Sequence, residues 1–195
     1  GIIHTKWFNY SFWINSSLIR LIRLLQFKKD FTLIFPENWK YIKYVMDTLS
    51  AFPTVKYIEI PKGKHLFIKN LLLPTVRAYT ASFNPDELTE IRMFVKKENP
   101  CRKFAKDFPN RIYLSREKVN LRKIINQEEI SYILKKYNFY IINFEDYTFW
   151  EQAAIMEQAK YFIANNGAWM SNMMFMKPGA KVLEMVNRKY AENEY

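Results

Sequence analysis

The chain has 195 residues, of which 49% are apolar and 17% aromatic, so it can bury a core and is not a disordered protein. No apolar run approaches the ~20 residues that a membrane-spanning helix needs, and Cys101, the single cysteine, excludes an internal disulfide. A formal charge of +11 favours anionic partners, namely nucleotide phosphates, nucleic acid or an acidic membrane surface.

In the first half, apolar runs alternate with helical patterns. The predicted elements are, in chain order, a strand at 31–36, a helix at 38–52, strands at 55–61 and 65–74, and a helix at 84–97. Pro36 ends the first strand. Asn84 is the predicted N-cap of the last helix, with Pro85 in its first turn.

The second half repeats the alternation more regularly. Its predicted elements are a strand at 111–116, a capped helix at 126–138, a strand at 139–145, a helix at 148–160, a strand at 161–164, a short helix at 168–176 and a strand at 180–185. Strands separated by helices of about 10–15 residues imply βαβ units and a parallel sheet. We therefore predict two Rossmann-like halves, 1–105 and 106–195, with the seam in the polar stretch 98–110.

The tripeptide Asn165-Asn166-Gly167 falls between a predicted strand and a predicted helix. That position is the carboxyl edge of a parallel sheet, where α/β proteins bind ligands. Gly167 would let the backbone turn and leave room for a ligand, and the amides that open the helix favour a negative group. The alternative, a simple tight turn, stays equally open.

Basic residues cluster in the stretch 102–123. Arg116 follows a predicted strand, where a guanidinium can bind phosphate oxygens through two parallel hydrogen bonds, and Arg122 comes shortly after it. The other basic residues of the stretch are expected on a solvated surface. The two histidines, His4 and His65, offer little for a zinc site or a His-based triad, and a surface or packing role is expected for both.

An ordered set of motifs spans nearly all of the chain. In the second half these are Ser115-Arg116, Arg122, Asn126, Phe149 with Gln152, Gly167-Ala168, Asn172 with Phe175 and Met176, Pro178-Gly179 and Glu184. In the first half they are Trp13, Arg20 and Leu21 within 9–21, and Pro74 and Arg92 within 70–92. Together these motifs resemble the conserved domain of glycosyltransferase family 61, which includes plant xylosyl- and arabinosyltransferases, animal O-linked N-acetylglucosamine transferases and bacterial capsular polysaccharide enzymes.

The chain departs from the family pattern at four positions. Phe12 and Asn166 stand where the family has histidines, Ser16 where an acidic residue often follows, and Ile19 where the family has proline. The chain begins inside the first half of the family domain and stops where the family continues into further helices. We therefore expect a fragment of a longer protein.

The resemblance implies the GT-B architecture, with two Rossmann-like halves facing a cleft, and an inverting transfer of a hexose or pentose from a nucleoside-diphosphate sugar, UDP-linked, to a glycan hydroxyl. It assigns 106–195 to the nucleotide sugar and the incomplete half 1–105 to the acceptor, with Trp13 and Arg20 on the acceptor side. No metal or other cofactor is required.

Within the nucleotide-sugar half, the resemblance implies a role for each motif residue. Arg116 and Arg122 would bind the diphosphate, together with the amides after Gly167 and Ala168. Glu184 would bind the ribose hydroxyls, and Asn166 would orient a sugar hydroxyl. Gln152 and Asn172 would contact base or sugar, or would cap a neighbouring turn, and both alternatives stay open. The catalytic base is unassigned.

Three functions remain open. The first is a family 61 enzyme of bacterial capsular or surface polysaccharide synthesis, acting in the cytoplasm with peripheral contact to an anionic membrane, or in the secretory lumen if the source is eukaryotic. The second is a non-catalytic relative that binds a nucleotide sugar or glycan. The third and more distant is a nucleic-acid-binding protein, but no nucleic acid is expected because no recognised motif is present.

Overall fold

In the computed structural model, the described residues are 1–3, 9–27, 30–75, 84–119 and 122–187. His4 lies outside them. The chain divides into two compact units, Gly1–Pro100 and Cys101–Tyr195, and the boundary falls within the polar stretch 98–110. Both units are mixed α/β, and both have parallel sheets, as predicted. The assignment of one unit to an acceptor and the other to a nucleotide sugar stays a prediction.

The first unit begins with a helical segment. It comprises α1 (Tyr10–Phe12), a π-helical turn (Trp13–Ser17) and α2 (Leu18–Phe27). Asn9 caps α1, because its Oδ1 accepts a hydrogen bond from the backbone N of Phe12 at 3.0 Å.

A two-stranded parallel sheet follows in the same unit. It consists of β1 (Thr32–Pro36) and β2 (Lys56–Ile60), joined through a 3-10 turn (Trp39–Tyr41) and α3 (Lys43–Ser50), which confirms the predicted strand–helix–strand order. The pairing runs from Thr32 opposite Lys56 to Pro36 opposite Ile60.

The third strand predicted for this unit, at 65–74, is wrong. Residues 61–75 form neither helix nor strand and lie mostly exposed on the surface. The carbonyl of Leu72 accepts a hydrogen bond from the backbone N of Ile2 at 3.0 Å, outside any strand ladder.

The predicted helix at 84–97 is confirmed as α4 (Pro85–Glu98). Asn84 Oδ1 accepts hydrogen bonds from the backbone N of Asp86 and Glu87, at 3.0 and 3.2 Å, and Pro85 occupies the first helical position. An ion pair of 2.8 Å between Arg23 and Glu87 links α2 to α4, and Glu87 is buried.

The second unit is built on a four-stranded parallel sheet in the order β4-β3-β5-β6. The strands are β3 (Arg111–Leu114), β4 (Tyr140–Ile142), β5 (Tyr161–Asn165) and β6 (Lys181–Met185), and the helices are α5 (Gln127–Lys136), α6 (Phe149–Gln158) and a 3-10 helix (Ala168–Phe175). All seven predicted elements are present, six with shorter bounds and β5 one residue longer than predicted. The expected cap of α5 is not made, since the Asn126 side chain donates to Glu129 Oε2 at 3.2 Å and accepts no helix amide.

Strand order determines where this sheet can bind a ligand. Numbered within the unit, the order is 2-1-3-4, and the direction of winding reverses between β3 and β5. Where the loops after two neighbouring strands run in opposite directions, a crevice opens at the carboxyl ends of those strands. The loops after β3 and β5 are therefore the first place to look for a site.

Candidate functional site

The two loops at this reversal carry residues singled out from the sequence. Ser115 and Arg116 follow β3, and Asn166 and Gly167 follow β5 and lead into the 3-10 helix. The predicted strand-to-helix turn at the carboxyl edge is thus confirmed. The sheet register, with Leu114 opposite Ala164, brings the two loops to adjacent positions.

Gly167 is the point where two guanidinium groups converge. A β-carbon built on Gly167 would lie 2.7 Å from Nη1 of Arg116 and 3.6 Å from Nη1 of Arg122. The φ of Gly167 is 164°, which is extended backbone that any residue adopts, so the backbone conformation at this position does not itself require glycine. Glycine leaves room for the Arg116 guanidinium, which a side chain at this position would displace.

Arg116 occupies a place where its charge is poorly solvated. Burial lowers the pKa of its guanidinium, the neighbouring charge of Arg122 lowers it further, and Glu145 opposes both effects. An arginine nevertheless stays protonated at every physiological pH. The half-buried Arg116 and the exposed Arg122 together form a positive local field that an anion would neutralise.

Arg122 is fixed by its neighbours on the β5 loop. Its Nη1 donates to the backbone O of Asn166 at 2.9 Å and to Asn166 Oδ1 at 3.0 Å, and its own carbonyl accepts from Asn165 Nδ2 at 2.9 Å. Its φ is +60°, a conformation that non-glycine residues seldom adopt. One hydrogen bond to its carbonyl and two from its side chain hold Arg122 in this conformation, which makes it a pre-organised feature of the site.

Asn166 bridges a cation and an anion. While its Oδ1 accepts from Arg122, its Nδ2 donates to Glu184 Oε1 at 2.7 Å, and its backbone N donates to the carbonyl of Met185 at 2.9 Å. The side chains of Arg122, Asn166 and Glu184 thus form one hydrogen-bonded row across the carboxyl ends of β5 and β6.

A cavity of about 270 Å³ opens beside this row. It is lined by Arg122, Lys123, Ile124, Ile130, Asn165, Asn166, Met185, Val186 and Asn187. Among these, sequence reasoning singled out only Arg122 and Asn166 as binding residues. Asn165 and Asn187 could have been found from their position, since polar residues at the ends of parallel strands face the ligand edge.

A comparison with models of known protein families gives an independent result. The family model for glycosyltransferase 61 matches residues 13–183. The chain belongs to glycosyltransferase family 61. This confirms the resemblance found in the sequence, and membership supports glycosyltransferase activity in general. A search of curated proteins gave no significant match.

Two family 61 motif residues lie in the core and do not line the cavity. Gln152 is 2% exposed and its Nε2 donates to the carbonyls of Phe144 and Tyr147 at 2.9 and 3.0 Å, while its Oε1 accepts from Asn172 Nδ2 at 3.2 Å. Asn172 is 0% exposed. For Gln152, the structure thus shows the alternative in which the side chain caps a turn.

Of the family 61 residues of the first unit, Trp13 is also buried in the core and Arg20 is half-buried. Trp13 is 2% exposed, packs against Phe35 and Trp39, and donates from Nε1 to Thr48 Oγ1 at 3.1 Å. Direct contact with an acceptor would require it to leave the core. Arg20 donates to the carbonyl of Ile3 at 3.4 Å, and burial lowers the pKa of its guanidinium, opposed by Glu87.

Two properties of the described residues bear on cofactors and membranes. Across the described ranges, no group of three or more His, Cys, Asp or Glu side chains is arranged to hold a metal ion. Within the same ranges, no helix has the length and apolar character needed to cross a membrane.

Proposed function

We propose that this chain is an inverting glycosyltransferase that moves a hexose or pentose from UDP to a glycan hydroxyl, in bacterial capsular or surface polysaccharide synthesis. The observation that carries the proposal is the convergence of the Arg116 and Arg122 guanidiniums on Gly167. In this proposal the two units correspond to the halves of a GT-B enzyme and the reaction takes place in the cytoplasm, or in the secretory lumen if the source is eukaryotic.

In the reaction, the bond between the sugar carbon and the diphosphate breaks while the acceptor oxygen bonds to that carbon. The acceptor hydroxyl gives its proton to a base, which we assign to no described residue. Negative charge accumulates on the departing diphosphate, so stabilisation must be greatest in the transition state. The half-buried Arg116 and the exposed Arg122 supply it, and the amides of Ala168 and Trp169 at the start of the 3-10 helix add to the field.

The rest of the nucleotide would extend from the arginines along the hydrogen-bonded row. Glu184 would accept hydrogen bonds from the ribose hydroxyls, as carboxylates do in dinucleotide-binding folds. The cavity offers apolar walls from Ile124, Ile130 and Val186 and amide groups from asparagines. Its volume of about 270 Å³ is close to the lower end of the range of about 300–1,000 Å³ that is typical of small-molecule sites. The choice of UDP rests on the resemblance to the family.

A second candidate function rests on Asn166. An amide does not take up a proton at neutral pH, whereas the histidine of the family pattern could. A family member without this imidazole could bind a nucleotide sugar and not turn it over.

One experiment separates these candidates. The protein is incubated with UDP, GDP and CMP and with UDP-linked glucose, N-acetylglucosamine and xylose, and both the thermal shift and the release of free nucleotide are measured. We expect a shift with the UDP compounds and release when a glycan acceptor is added. A shift without release identifies the binder, and no shift with any nucleotide contradicts both functions.

Replacing Asn166 with histidine should add a pH dependence to nucleotide binding that comes from titration of the new imidazole. A neutral imidazole can accept from Arg122 and donate to Glu184, as the amide does, but an imidazolium cannot accept. Glu184 favours the protonated form and Arg122 opposes it. The bond to Arg122 should be lost as the pH falls through the imidazole pKa, ordinarily about 6.5.

The measurement is the UDP dissociation constant of Asn166→His and of the wild type between pH 5.5 and 8. The ionisation of UDP itself cancels in their ratio, which should rise roughly tenfold toward low pH. The matched control is Asn187→His, which adds an imidazole to the same cavity lining without replacing the bridge. A ratio that stays flat would show that the bridge does not support binding.

A further inference from the structure

The segment 61–75 of the first unit, which we call the surface segment, combines three properties that seldom occur together. It has no helix or strand, it is mostly exposed, and it contains Lys62, Lys64 and Lys69 but no Asp or Glu. Surface loops normally carry charged residues of both signs. A segment whose charged residues are all positive attracts a negatively charged partner.

Apolar side chains of the surface segment face solvent. Phe67 is 93% exposed, Leu73 59% and Leu71 47%. Leu66 is also exposed, and so is Ile58 on the neighbouring β2. Soluble proteins rarely expose large apolar groups side by side unless a partner covers them.

Most of these apolar groups line one cavity together with residues of the two-stranded sheet. A cavity of about 730 Å³ is lined by Ile34 of β1 and Ile58 of β2 together with Leu66, Phe67, Ile68, Leu71 and Leu72 of the surface segment. Asp30 and Lys69 also line it. Glu37 accepts a hydrogen bond from the backbone N of Lys62 at 2.9 Å, so one carboxylate lies at the start of the segment. The three lysines still leave the segment positive.

We propose that the surface segment binds an anionic phospholipid surface, with Phe67 and the leucines inserted into the interface and the lysines at the headgroups. Aromatic and aliphatic side chains enter the boundary between headgroups and acyl chains, while lysine side chains extend their ammonium groups to the phosphates. Binding of this kind is peripheral. It places the first unit against the membrane and does not depend on the UDP site of the second unit.

The test is co-sedimentation of the 195-residue protein with vesicles of phosphatidylcholine alone or with phosphatidylserine added. The wild type should bind the second kind, more weakly as salt rises. The triple variant Lys62→Gln, Lys64→Gln, Lys69→Gln should lose roughly a hundredfold in partitioning, since each lysine near an anionic surface contributes about fivefold. Phe67→Ser should lose roughly tenfold through the missing apolar contact.

Each variant has a matched control in the same unit. Lys43→Gln, Lys96→Gln, Lys97→Gln makes the same charge change on α3 and α4, where all three lysines are exposed. Phe27→Ser removes a phenyl group that is 78% exposed at the end of α2. Both controls should bind vesicles within about twofold of the wild type.

Three outcomes overturn the proposal: no binding of the wild type to phosphatidylserine vesicles, equal losses in variants and controls, or binding that Phe67→Ser leaves unchanged. If the wild type binds single-stranded RNA but no vesicles, and the surface-segment lysine variant loses that binding, the surface belongs to nucleic acid. UDP affinity, measured on the same samples, should not change in either surface-segment variant. A failure of the UDP proposal is therefore distinguishable from a failure of this one.

Discussion

We expect the Arg116→Ala variant to bind UDP roughly 10- to 100-fold more weakly than the wild type. A charge-assisted hydrogen bond contributes about 1.5–3 kcal/mol, and a guanidinium can make two of them to a diphosphate. Stability should behave differently from affinity. Because burial and Arg122 both disfavour the charged Arg116, its removal relieves repulsion, and the melting temperature should not fall.

Isothermal titration with UDP and a thermal melt measure the two quantities on one sample. The matched control is Lys103→Ala, which removes one positive charge from an exposed position of the same unit and should leave UDP affinity within about twofold. An unchanged affinity in Arg116→Ala would show that the diphosphate lies elsewhere. A lower melting temperature with normal affinity would show that Arg116 serves the fold.

Gly167→Ala tests the position of the Arg116 guanidinium by adding a methyl group beside it. Its β-carbon would lie 2.7 Å from Arg116 Nη1, and the guanidinium, at the end of a flexible side chain, can move away at little cost to stability. The expected result is a loss of roughly tenfold in UDP affinity with little change in melting temperature, because the guanidinium proposed to bind the diphosphate is displaced and not removed.

Much of the fold could be predicted because local signals agreed with tertiary structure. Buried strands such as β3 and β5 are apolar runs, and Thr148 begins α6 with a capping box that includes Glu151. The surface segment shows the limit. The apolar content of 65–74 favoured a strand, but Pro61 and a left-handed Gly63 separate these residues from β2, and no ladder partner exists for them among the described residues. Pairing is a tertiary property that composition does not contain.

The helical segment at 10–27 was missed although its signal was present. Arg20, Arg23 and Gln26 recur at every third position, and the residues between them are largely buried. The pattern is that of a helix with one polar stripe.

For the site, motif order located Arg116, Arg122, Asn166, Gly167 and Glu184, and the structure brings these residues together along one sheet edge. Motif order could not separate the residues that would contact a ligand from the residues that support the fold. Gln152 looks the same in sequence whether its amide faces a base or two backbone carbonyls. Only the surrounding packing decides, and here the carbonyls come from the turn at 144–147.

Replacing Gln152 with leucine should lower the free energy of unfolding of the second unit by roughly 3 kcal/mol. Leucine keeps most of the volume but leaves the carbonyls of Phe144 and Tyr147 without the donor they share, and it removes the oxygen that accepts from the buried Asn172 amide. For a unit of this size, the melting temperature should fall by about 10 °C or more. The control Gln26→Leu removes an exposed amide and should change stability by less than about 0.5 kcal/mol.

The same variant distinguishes support from ligand contact. Asn172 belongs to the 3-10 helix that follows Gly167, so Gln152 ties α6 to the element that begins at the turn proposed to bind the diphosphate. If Gln152 acts only through this link, UDP affinity measured well below the melting temperature should fall by less than about fivefold, because the row from Arg122 to Glu184 keeps its own hydrogen bonds. A variant with an unchanged melting temperature and a hundredfold loss of affinity would instead mean that the amide reaches the nucleotide, and that the buried arrangement is not the one that binds it.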